Sequence, residues 1–61
     1  MTKEDIVDLM LKSMNSDNRT ICKQAGMAED EMEQQITASQ TPLLYMLSNM
    51  YDRLKSAGAL A

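Results

Sequence analysis

The side chains able to do chemistry are few. Cys22 is the only thiol in 61 residues, and no histidine is present to act as a general base. Lys23 follows Cys22, but consecutive helical residues point apart, so the ammonium is badly placed to activate the thiol. Cys22 reads as a small, buried, unreactive apolar residue. Glu29 and Glu33 stand one helical turn apart, a spacing at which two carboxylates can share a divalent ion, yet no histidine or calcium-binding loop accompanies them. A zinc site of four Cys/His ligands cannot be assembled. Glu29, Asp30, Glu31 and Glu33 form the densest charge run. It reads as a solvated helix face whose acids favour the positive end of a helix dipole, or as an acidic surface for a basic partner. No catalytic, metal or cofactor site is expected, and the chain is not expected to be an enzyme.

Size and composition narrow the classes further. A chain of 61 residues makes one domain, residues 1–61, with too little length for a nucleotide-binding βαβ fold or a two-domain cleft. One cysteine excludes an internal disulfide. Leu, Ile and Val together number only 11, a level that with a net charge of −3 borders on disorder, but seven methionines supply the missing apolar volume. Ala, Leu, Met, Glu, Gln, Lys and Arg make up more than half of the chain and favour helix, whereas four Val and Ile residues offer little to a sheet. The longest apolar runs, Leu9–Leu11 and Leu43–Leu47, fall far below the roughly 20 residues of a membrane span. The N-terminal stretch lacks the basic-then-apolar order of a signal peptide, so a cytoplasmic protein with no membrane contact is expected.

The elements that must position these residues are helices. Thr2 to Asp5 form a capping box and start a first helix that reaches Met14, with Ile6, Val7, Leu9, Met10, Leu11 and Met14 covering more than half of its circumference. Asn15-Ser16-Asp17-Asn18 is a cluster of turn formers and predicts a stop. A short second helix fits Asp17–Ala25, ended by Gly26, and a third fits Ala28–Thr37. Ala38-Ser39-Gln40 reads as a link. Thr41-Pro42 opens a fourth helix that runs to Ala57 and closes at Gly58, with fraying beyond it. The expectation is an all-α domain of four helices, two longer outer ones and two short middle ones forming a hairpin.

In the fourth helix Leu43, Leu47, Met50 and Leu54 recur at intervals of 4, 3 and 4 and form the expected core seam. Leu44, Met46 and Tyr51 flank it and widen the apolar stripe to roughly 160°. Tyr45 falls opposite. Stripes this wide on helices one and four exceed what 61 residues can cover internally, so a homodimer or small oligomer is expected, with Leu44, Met46 and Tyr51 as candidate self-association residues.

Residues 21–36, Ile21-Cys22-Lys23-Gln24-Ala25-Gly26-Met27 followed by Ala28 to Ile36, resemble a helix-turn-helix of the repressor type. The small Cys22, the turn glycine Gly26 and the apolar Ala25, Met27 and Met32 carry the resemblance. It implies a nucleic-acid regulator or a cofactor subunit of one. The groove-facing positions would then be Glu29, Asp30, Glu33 and Gln34. Residues 28–40 carry −4 while the rest of the chain sums to +1, the opposite of what a phosphate backbone attracts. Direct DNA binding is not expected. The favoured expectation is a small acidic helical interaction module, a regulator or inhibitor of bacterial or phage type, with the protein partner unassigned.

Overall fold

Thr2 starts the first helix. Its hydroxyl accepts a hydrogen bond from the Asp5 N–H at 3.2 Å, and the Asp5 carboxylate accepts one from the Thr2 N–H at 3.1 Å, so two of the donors orphaned at a helix start are satisfied. The computed structural model describes residues 1–60 and places this helix, α1, at Lys3–Gln24. A second helix, α2, spans Glu29–Ser56. Ala61, one of the residues expected to fray, lies outside the described residues.

Gly26 makes the turn between them. Its φ of +79° lies in the left-handed region that side chains with a Cβ disfavour. With that residue left-handed, the Gly26 N–H reaches the Lys23 carbonyl and the Met27 N–H reaches the Cys22 carbonyl, both at 3.0 Å. This is a Schellman closure, completed by Met27 packing back on the Cys22 cluster. Gly58, φ +74°, closes α2 with the same two hydrogen bonds, from Gly58 to Lys55 and from Ala59 to Leu54.

The described residues are all-α, but they form two helices rather than four: an antiparallel hairpin 41 Å long and about 19 Å across. The expected stop at Asn15–Asn18 does not occur. Asn, Ser and Asp each cost a helix only several tenths of a kcal/mol relative to Ala. Continuing the helix brings Cys22 onto Met32 and Ile36 of α2, and burying side chains of that size is worth roughly 1.5–3 kcal/mol each. Asn18 turns inward, where its Oδ1 accepts from the Cys22 thiol at 3.6 Å. The residues that would end an isolated helix are thus carried through by the packing of the turn that follows them.

The expected link at Ala38–Gln40 is also helical, and Pro42 lies inside α2 rather than at its start. Proline has no N–H to give to the Ala38 carbonyl one turn earlier. Ala38, Gln40, Thr41 and Pro42 are all exposed, so this defect faces water, which can replace the missing donor. On the inner side Ser39 Oγ donates to the Ile36 carbonyl at 3.1 Å.

Two apolar clusters hold the hairpin. Near the turn, Cys22, Met32 and Ile36 are buried, with Met27 against them. Toward the open end, Val7, Leu11 and Leu47 are buried, with Met10, Leu43 and Tyr51 packed around them. Between the clusters the seam is polar and only partly buried, formed by Asn15, Asn18 and Ser39. The core seam expected along α2 therefore needs one change. Leu43 and Leu54 are half-buried and Leu47 is buried, but Met50 is 49% exposed and Tyr51 takes the inward position. Lys3 covers Tyr51, its Nζ 5.8 Å from the ring centroid and 2.9 Å from Asp52 Oδ1, and so ties the start of α1 to the end of α2.

Two substitutions test this arrangement. Pro42→Ala is expected to raise stability by about 1–2 kcal/mol, the restored helical hydrogen bond outweighing the entropy returned to the unfolded chain. Urea unfolding measures it, and an unchanged or lower stability would place Pro42 at a helix start. Leu47→Ala is expected to cost about 2–5 kcal/mol in the same assay.

Candidate functional site

The buried seam is narrow, and apolar residues flank it. On α1, Met10 and Met14 each stand three residues beyond a member of the Val7–Leu11 line, about 60° to one side of it, and Leu9 stands farther round toward the outer face and reaches the rim. On α2, Met46 and Met50, one turn apart, fall on the same side of Leu47 as Leu43. The two helices thereby wall a groove of about 530 Å³ on one flank of the open half of the hairpin. Its floor is Met10, Leu43 and Leu47. Its rims are exposed: Leu9 56%, Met14 40%, Met46 58% and Met50 49%. Among the described residues, Ser13 is the one polar side chain lining it, and no charged group does. Methionine is unbranched and polarizable, so such a wall adapts to the shape of what it meets.

The other flank differs. A somewhat smaller depression of about 470 Å³ is lined by Leu44, Val7 and Ser48 together with the charged Lys3, Glu4 and Asp8. The three residues expected to meet a second copy are therefore separated. Met46 stands on the methionine groove. Leu44, 45% exposed, points to the charged flank, since residues two apart on a helix do not share a face. Tyr51 is drawn into the core and under Lys3. Leu9 and Met14 belong to the wide apolar arc expected on the first helix, but they are not among the expected self-association residues. Tyr45 is 70% exposed on the outer side of α2.

The acidic run has a structural use. Ala28 caps α2 in extended conformation but has no side chain with which to satisfy the first N–H groups. Glu29, Asp30 and Glu31 fill the first turn instead, and Asp30 Oδ1 accepts from the Glu31 N–H at 3.0 Å. Glu33 leaves the run altogether and receives two hydrogen bonds from Arg19, Nε to Oε1 at 2.9 Å and Nη2 to Oε2 at 3.1 Å. Those bonds hold the Glu33 carboxyl below its ordinary range and raise the Arg19 guanidinium further. Among the described residues, no three Cys, Asp or Glu side chains converge as a metal site would need.

The helix-turn-helix resemblance at residues 21–36 falls on the hairpin turn. In the repressor motif the two helices cross at about 90–120°, which frees the second for a DNA groove. Here they run antiparallel. Met32 and Ile36 are buried against α1, and Glu33, though exposed, is paired with Arg19. Among the described residues, no helix is long and apolar enough to cross a membrane.

Cys22 is 6% exposed and packed against Met32 and Ile36. A thiol reagent is expected to label it slowly in the native protein and at least about tenfold faster in denaturant, because only opening of the turn-proximal cluster exposes it. Equal rates, followed by mass spectrometry, would mean that this end of the hairpin is open.

Compared with protein-family models, characterised proteins and solved structures, the chain matches none of them.

Proposed function

We propose that this protein is a non-catalytic interaction module, a small regulator or inhibitor that acts by seating apolar protein surface on the groove of Leu9, Met10, Met14, Leu43, Met46 and Met50. The single observation that carries the reading is the makeup of that groove. Four of its large apolar side chains are at least 40% exposed, and no charge interrupts them. Contiguous apolar surface of this kind marks a contact site, because leaving it in water has a standing cost. Methionine-rich walls are the form it takes where a helical partner is received.

Chemistry gains no comparable support. The thiol is buried, and the acids of the 29–33 run are exposed at a helix start or engaged with Arg19. The nucleic-acid reading lacks a basic face: the helix that would enter a groove carries four acids within residues 28–40.

The test uses the intact protein immobilised through a tag and exposed to an extract of cells that express it. Wild type is expected to retain a defined protein, or untagged copies of itself, that a Leu9→Glu/Met46→Glu variant loses while keeping its helical circular dichroism. In parallel, duplex DNA titrated at low salt is expected to give no saturable complex at micromolar protein. Identical retention by wild type and variant would refute the groove as a binding surface, and a saturable, salt-sensitive DNA complex would replace the reading.

A further inference from the structure

We infer that the occupant of the methionine groove is a second copy of this chain, and that two hairpins stack groove to groove as an isologous four-helix bundle. This rests on the reading of the groove as a protein-binding surface and names its partner.

The first argument is area. A compact monomer of 6.8 kDa exposes about 4,000 Å². This chain exposes 4649 Å². The excess, roughly 600–700 Å² by the same scaling, is close to the ~800 Å² that each partner contributes to a standard stable interface. That excess belongs to the elongated shape of a lone hairpin, 41 Å by 19 Å, and pairing two hairpins side by side gives a more compact body.

The second argument is the width of the apolar stripes. A helix with one neighbour buries a single seam, and α1 and α2 do so with Val7, Leu11 and Leu47 toward the open end. A helix in a four-helix bundle has two neighbours and needs apolar side chains on both sides of an edge. Leu9 and Met14 on α1 and Met46 and Met50 on α2 supply the second edge over the same half of the hairpin. Ile21, 63% exposed, continues the α1 edge one heptad beyond Met14.

The third argument is charge. No acid or base lines the groove, so it selects no oppositely charged partner. A two-fold axis through it sets Leu and Met against Leu and Met, a pairing with no like-charge contact. Both copies bring the same residues, so every favourable contact is made twice.

The test is sedimentation equilibrium of the full chain with two variants. Wild type is expected to be a dimer at tens of micromolar. Met46→Glu is expected to raise the dissociation constant at least about a hundredfold, since two-fold symmetry places the buried charge in the contact twice. Leu44→Glu, on the opposite flank, is expected to leave the dimer intact. A wild-type monomer at high micromolar concentration, a higher oligomer, or dissociation by Leu44→Glu but not Met46→Glu would each overturn the inference. A mixed sample of two differently isotope-labelled wild-type pools gives a readout independent of any variant's folding. Intermolecular methyl contacts among Met14, Met46 and Met50 are expected, and a dimer lacking them would also overturn it. A wild-type monomer that still captures another protein through the groove would leave the proposed function standing and remove only the second copy. Failure of both would remove both.

Discussion

Each helix of this hairpin has only one neighbour, and most of the structure follows from that constraint. Two cylinders in contact bury one line of side chains on each. Six apolar residues satisfy that line fully: Val7, Leu11, Cys22, Met32, Ile36 and Leu47. Apolar side chains placed beside the line stay at the surface, however well they suit a core. Single cores in chains below about 70–80 residues rarely supply more than 3–5 kcal/mol, so what lies beside the line matters to stability.

The line is not continuous. A polar stretch of Asn15, Asn18 and Ser39 separates the turn-proximal cluster from the open-end cluster. The Asn15 Oδ1 atom is buried there without a protein partner, a cost that an all-apolar seam would avoid. The two halves are held differently. At the turn, a Schellman closure and the Arg19–Glu33 pair reinforce a small sulfur-rich cluster. At the open end, Lys3 bridges to Asp52 and covers Tyr51, but both side chains of the ion pair are partly exposed, so the pair adds modestly. The open half carries the wider apolar stripes.

The groove inherits its composition from this geometry. Leu9, Met14, Met46 and Met50 are exposed because each lies outside the single line of contact. The opposite flank, equally beside the line, is lined by Lys3, Glu4 and Asp8. The hairpin therefore has one apolar flank and one charged flank.

Local chemistry was legible in the sequence wherever a few neighbouring residues decide the outcome. The Thr2–Asp5 cap, the left-handed glycines 26 and 58 that close helices, the helical composition and the −4 concentrated in residues 28–40 all depend on short-range rules. The number of helices did not. Asn15–Asn18 and Ala38–Pro42 carry the residues that end helices in isolation, and only tertiary packing carries the backbone through them. The first is carried by Cys22 reaching α2, and the second has its defective side turned to water. The choice of Tyr51 over Met50 for the inner position was equally out of reach, because both fit the periodicity and Lys3 of the other helix decides between them. So was the separation of Leu44 from Met46. Which flank of a stripe becomes charged depends on the facing helix, and only the antiparallel register sets Lys3, Glu4 and Asp8 beside Leu44 and Leu9, Met10 and Met14 beside Met46.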